Sequence, residues 1–194
     1  MTDLTLETEP RSHQLPGDIA VWIFIFAELA VFGIMLIGFA VARSLDPGTF
    51  HAGREALHPL IGLLNTVALI TASYLVATAV HQFRHRCPGV QWRLWFAVAI
   101  SCVYTVGKLW EYVNLYSEGY NLGTSTFFMF YFFLTFFHFM HVILGQVILI
   151  VLAVKVRNGD YDGSDMNGME SGASYWHMVD LVWLVLFPII YVLA

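Results

Sequence analysis

The sequence predicts an all-α integral membrane protein, a bundle of five transmembrane helices with the N-terminus inside and the C-terminus outside. Three observations predict it. Of 194 residues, 58% are hydrophobic and only 12% are charged, against about 25% charged in an average soluble domain. The mean hydropathy is +0.68. The chain holds five apolar runs, roughly 20–42, 60–80, 92–114, 127–154 and 175–194, each near the ~20 residues that a helix needs to cross a bilayer. The cations are also unevenly placed. Arg11, Arg84, Arg86, Arg93, Lys155 and Arg157 fall on one side of this topology, and only Arg43 and Arg54 on the other. The richer side is cytoplasmic by the positive-inside rule.

Residues 1–19 read as a polar, acidic cytoplasmic tail, and 20–194 as a single transmembrane domain. The tail has no basic stretch leading into an apolar core, so no cleavable signal peptide is expected. Span one follows Pro16-Gly17-Asp18, a helix-start signal. Asp46-Pro47-Gly48 marks the first loop and Cys87-Pro88-Gly89 the second. Glu118, Gly119, Asn121 and Gly123 mark the third, and the Gly-, Asp- and Ser-rich stretch 155–174 the fourth, expected to be flexible. Span four is the longest and is expected to tilt or project from the bilayer. Span five contains Pro188, an expected kink. Cys87 and Cys102 offer no disulfide framework and read as free thiols. Nine scattered Lys and Arg form no basic stripe, so no nucleic-acid partner is expected.

The informative residues are polar ones inside apolar runs, because an ionisable group in lipid costs at least ~2.5–3.5 kcal/mol unless it is paired or faces protein. Glu28 lies in IFAELAVFG, about 12 Å into span one. It reads either as a proton-linked carboxylate or as a protonated Glu bonded to a neighbouring helix. Asn65 and Thr66 in span two suit bonding between helices. Lys108 and Glu111 in span three are three apart and read as a local ion pair, or as a lysine snorkelling to the interface. Span four carries FFLTFFHFMHVILG, with His138 and His141 one turn apart. Its phenylalanines read as lipid-facing and packing surface.

Two histidines on one helix cannot take opposite axial positions of one haem, so His177 or His81 would have to help. Glu28, Glu111 and Glu170 are not followed by His three residues on, as a di-iron helix bundle would need. The plainer reading is hydrogen bonding between helices. In SYWHMVDLVW, His177 and Asp180 share a face and can pair with each other or across to span four. Glu170 stands at the inner entrance of that helix. Glu28, Asn65, Glu111, His138, His141, Glu170, His177 and Asp180 are therefore the expected buried polar network, with no catalytic residue and no metal ligand among them.

Four stretches resemble a known family: the Glu in IFAELAVFG; LLNTVALITAS; STFFMFYFFLTFFHFMHVILG, with H-x-x-H-V-x-x-G; and ESGASYWHMVDLVWLVLF, with E-x4-YWH-x-VD-x-VW. They resemble subunit III of the haem-copper oxidases, from span one to the C-terminus. The start PGDIAVWIFIFAE, the five-span length and the short acidic tail look most like the branch associated with nitric oxide reductase. The resemblance implies a non-catalytic accessory subunit of the respiratory chain in a bacterial inner membrane. Haem, with copper or non-haem iron, would belong to the partner catalytic subunit. The implied role is support of stability, assembly or proton uptake, and protection of the active site from turnover damage.

Phospholipids are the second implied partner, and Glu28 matches the family's carbodiimide-reactive carboxylate. Glu170, His177 and Asp180 match polar positions of its last helix. An alternative is subunit III of a proton-pumping cytochrome c or ubiquinol oxidase; another is a small haem protein using His138, His141 and His177. A third, a proton channel centred on Glu28, is disfavoured because no inverted repeat is visible. Two departures matter. The match begins at the third helix of the seven-helix members, whose first two form one wall of a lipid-holding cleft. Phe136, Phe137 and Phe139 replace small residues beside His138, so close helix approach is not expected there.

Overall fold

A computed structural model of the protein describes residues 18–159 and 166–193. Every regular element among the described residues is helical: α1 (Ile19–Leu45), α2 (Pro47–Glu55), α3 (Pro59–Arg84), α4 (Val90–Ser117), α5 (Thr126–Asn158) and α6 (Asn167–Phe187). A π-helical turn, Pro188–Leu193, continues α6. Among the described residues four helices are long and apolar enough to cross a membrane: α1, α3, α5, and α6 with its π-helical end.

The ends of the elements follow from local chemistry. Asp18 caps α1 by accepting the Ala20 N–H at 2.9 Å. Its own N–H donates to Ser171 Oγ at 3.0 Å and ties α1 to the start of α6. Pro16 and Gly17 of the expected start signal lie outside the described residues. Asp46-Pro47, expected to mark a loop, instead starts a helix. The Asp46 carboxylate accepts the Thr49 N–H at 3.2 Å, and Pro47 occupies the first turn, where its missing N–H costs nothing. Hydrogen bonds from the Thr49 side chain and backbone hold the Asp46 carboxyl below the usual carboxylate range. α3 ends with Arg86 in the left-handed region at φ 53°. There the Cys87 N–H reaches back to Gln82 O at 2.9 Å, closing the helix end in the manner of a Schellman turn.

Two boundaries differ from the sequence reading. α6 begins at Asn167 rather than near 175. Its first turns look polar in sequence, but Met169, Gly172 and Ala173 are buried, and a Cβ added to Gly172 would lie 2.7 Å from Leu152. The expected flexible loop thus loses both ends to helix, and residues 160–165 lie outside the described residues. At Pro188 the expected kink takes the form of a change of helical register. Proline supplies no N–H to the preceding turn, and the last residues adopt the wider π pitch.

α6 sits at the centre, against α1, α3 and α5, while α4 packs between α3 and α5 on the far side. Trp176, Trp183, Tyr104, Tyr131, Leu69, Leu94 and Leu134 are fully enclosed between them. α2 inserts Phe50 between Phe39 and Phe127, with ring centroids at 5.1 and 5.7 Å. α1 is the most peripheral of the long helices, with Ile23, Phe26, Ile34 and Ile37 exposed. The phenylalanines of α5 do not form one surface. Phe127, Phe128 and Phe139 are buried, whereas Phe133 and Phe136 face outward.

Candidate functional site

Lys108 has no exposed side-chain surface. It does not snorkel. Its ammonium donates to Glu111 Oε2 at 2.9 Å, Tyr131 OH at 3.0 Å and Tyr191 OH at 2.8 Å. That uses all three ammonium donors. The Tyr191 hydroxyl donates in turn to Glu111 at 2.7–2.9 Å. The rings of Tyr131, Tyr112, Tyr191 and Trp183 stand 4.7–5.5 Å from the nitrogen, within the range of cation–π attraction. The cluster joins α4, α5 and the π-helical end of α6. The sequence marked Lys108 and Glu111 but not Tyr131 or Tyr191.

His138, fully buried, joins three helices. Its Nε2 lies 3.0 Å from the Val179 carbonyl on α6, and its Nδ1 lies 2.9 Å from Tyr104 OH on α4. A carbonyl only accepts, so Nε2 carries the proton and Nδ1 accepts from the phenol. This tautomer is assigned from the partners. Trp183 lies over His138 with centroids 5.2 Å apart and donates Nε1–H to Thr66 Oγ1 at 2.9 Å. The helices therefore do approach closely at His138, against the expectation drawn from its phenylalanine neighbours. The reason is divergence. Phe136 points outward, Phe137 meets Phe32 of α1 at 5.1 Å, and Phe139 turns to Tyr104 and Tyr112. About two turns further on, Gly145 supplies the space: a Cβ there would sit 2.9 Å from the Trp176 ring.

The other candidate residues occupy separate places. His141 turns away from His138 toward α1, where its Nε2 lies 3.1 Å from Glu28 Oε2. Its Nδ1 bonds the Phe137 carbonyl at 2.8 Å. That approach to Glu28 lacks hydrogen-bond alignment, so it is a close contact rather than a directed bond. His177 pairs within α6 and toward α3, not toward α5: Nδ1 is 3.6 Å from Asp180 Oδ2 and 2.6 Å from Ser73 Oγ. Glu170, in the first turn of α6, binds Arg84 of α3 at 2.8 Å. Asn65 is buried against Gly107 of α4, its Nδ2 without a partner. Seven of the eight residues are thus distributed among five separate polar contacts, and Asn65 stands apart from them. A further contact, Gln146 of α5 with Ser101 and Thr105 of α4 at 3.1 and 2.8 Å, was not anticipated.

This arrangement does not suit haem. Both ring nitrogens of His138 are engaged, both of His141 face protein groups, and the two rings point toward different helices. Nor do Ser73, His177 and Asp180 form a hydrolytic triad. A triad needs serine and acid on opposite ring nitrogens, and here both lie on Nδ1. Among the described residues no group of three or more His, Cys, Asp or Glu is placed to hold a metal ion. What these contacts can do is fix the rotation and depth of each helix, since a buried polar group tolerates few alternative partners.

Comparison with known proteins supplies the remaining evidence. The family model described as cytochrome c oxidase subunit III matches residues 15–194. Cytochrome c oxidase subunit 3 of Thermostichus vulcanus is 28% identical over 95% of this chain and 92% of its own length. The protein of the same name from Synechocystis sp. is 30% identical over 95% of this chain and 80% of its own. A probable quinol oxidase subunit 3 of Staphylococcus aureus is 28% identical over 98% of this chain and 94% of its own.

Proposed function

Because the chain belongs to the cytochrome c oxidase subunit III family, we propose that it is the third, non-catalytic subunit of a bacterial haem-copper oxidase, seated in the inner membrane beside the catalytic subunit. The observation that carries this reading is the family match along nearly the whole chain, with in-membrane imidazoles already engaged by protein groups. The named relatives serve oxidases that take electrons from cytochrome c or quinol. That favours such an oxidase over nitric oxide reductase as the partner. The redox chemistry then belongs to the partner's haem and copper, and this chain contributes a shaped, rigid surface.

In this reading α4 is a fifth span. Its 28 residues are long enough, and the charges that lower its apolarity, Lys108 and Glu111, are wholly withdrawn from the surface. The cations at Arg84, Arg86, Arg93, Lys155 and Arg157 then lie on the cytoplasmic side. Lipid chains cover the outward faces, including a groove of about 700 Å³ between α4 and α5 lined by Tyr112, Val113, Tyr116, Leu122, Phe133 and Phe136. Glu28, partly exposed beside His141, is the carboxylate to which this reading assigns the support of proton uptake.

Deletion of the chain from its host tests the proposal. The oxidase core should still assemble haem but lose activity faster during continuous turnover. Unchanged oxidase activity and lifetime, alongside lost nitric oxide reduction, would transfer the chain to the other partner.

A further inference from the structure

Tyr104 and His138 meet inside the bundle, and both are fully buried. The Tyr104 hydroxyl donates to His138 Nδ1 at 2.9 Å, while Nε2–H donates to the Val179 carbonyl at 3.0 Å. The phenol proton is thus aimed at a neutral base within transfer distance. Other phenols of the core are placed differently. Tyr112 and Tyr175 donate to the Thr135 hydroxyl and the His141 carbonyl, neither of which can keep a proton. Tyr131 accepts from the Lys108 ammonium. Tyr191 does face a carboxylate, Glu111, but that group is already paired with Lys108.

We propose that Tyr104 is a one-electron donor with His138 as its proton acceptor, and that the pair reduces radicals of the peroxyl class formed in the surrounding lipid. In this step the Tyr104 O–H bond breaks. The proton crosses the hydrogen bond to Nδ1, and the electron leaves the ring. The products are a neutral phenoxyl radical and an imidazolium, whose Nε2–H keeps its bond to the Val179 carbonyl. The peroxyl radical gains the electron, becomes a peroxide anion and takes a proton from water at the headgroup boundary, giving a hydroperoxide. Without the imidazole the ring would be left as a buried radical cation, which an apolar core does not stabilise. The electron has a route outward. Trp183 stands edge-on to Tyr104 with ring centroids 4.9 Å apart. Tyr191, Tyr131 and Tyr112 follow at steps of 6.3, 6.4 and 6.4 Å, and Tyr112 borders the apolar α4–α5 groove. Lys108 lies 4.7–5.5 Å from all four of these rings. A cation at that range in a low-dielectric core opposes loss of an electron, so they form a path, and the oxidised site is Tyr104, where the proton can leave. The inference needs the membrane setting and does not depend on which oxidase the chain joins.

The test uses the full-length chain in phosphatidylcholine vesicles, with Cys87→Ser and a ruthenium polypyridyl attached to Cys102, which is exposed on α4. A flash in the presence of a viologen quencher leaves an oxidised ruthenium centre, a one-electron oxidant. The expected result is a neutral tyrosyl radical, seen by transient absorption and electron paramagnetic resonance, with a slower rise in heavy water. Tyr104→Phe, which keeps the ring, should lower its yield about tenfold or more, and so should His138→Gln, which accepts a hydrogen bond but cannot keep a proton. Tyr74→Phe, at an exposed phenol, should leave the yield unchanged. In unlabelled vesicles of polyunsaturated lipid, peroxyl radicals from a lipid-soluble azo initiator should produce the same signal in the wild-type chain and not in Tyr104→Phe. A yield that Tyr104→Phe leaves unchanged, equal rates in light and heavy water, or no tyrosyl signal from peroxyl radicals would overturn the inference and leave the oxidase reading standing.

Discussion

Lys108 shows how one residue constrains three helices. Its charge is enclosed with Glu111, and removing one member of such a pair strands the other. Lys108→Met should therefore lower stability in detergent by about 3–5 kcal/mol. Lys108→Met combined with Glu111→Leu should recover most of that loss, because no unpaired charge remains. Chemical denaturation of the four proteins of this cycle measures it, and additive losses would contradict the pairing. At this scale the sequence exposed the acids and the base but not their surroundings. A charge inside an apolar run is visible at once, and an i, i+3 spacing shows a possible partner. The hydroxyls of Tyr131 and Tyr191 were not legible, because tyrosine in an aromatic-rich span carries no mark of its role. The Glu28–His141 contact was likewise hidden, since it depends on how α1 lies across α5.

The elements carry their own tests. Pro188 begins the π-helical turn that brings Tyr191 to Lys108. In an ordinary helix interior, replacing proline with alanine is stabilising. Here Pro188→Ala should restore α-helical register, draw the Tyr191 hydroxyl away and cost about 1.5–3 kcal/mol, the scale of a hydrogen bond to a charged group. Thermal unfolding reads the sign, and a more stable variant would contradict it. Gly145→Val would press on Trp176, whose ring already lies 2.9 Å from where a Cβ would stand. The expected loss is about 1–3 kcal/mol from overpacking, with a change in tryptophan fluorescence; neither change would mean that α5 and α6 are looser there. The long helices were legible because length and apolarity are averages over many residues. α2 was not, because nine residues are too few to show a period and its Asp-Pro start doubles as a turn signal. The first turns of α6 were not, because their buried positions are held by Met169, Gly172 and Ala173, two of them too small to register as apolar.

For the whole molecule, the arrangement is one central helix, α6, gripped by polar contacts from α3, α4 and α5 and bordered by α1. Such a bundle keeps its outer faces in fixed relation. The family was legible from the spacing of His, Glu and Asp in two motifs, whereas the choice of core enzyme was not. The start of the chain suggested a nitric oxide reductase branch, and the relatives carry oxidase names. The most direct test is affinity purification of the tagged chain from its native membrane in mild detergent, with peptide identification and a visible spectrum. The account predicts that a haem-copper catalytic subunit accompanies the chain in equal amount, and that every haem band departs when harsher detergent strips that subunit away. A chain that purifies without a catalytic partner, or that keeps a haem band once alone, would contradict it.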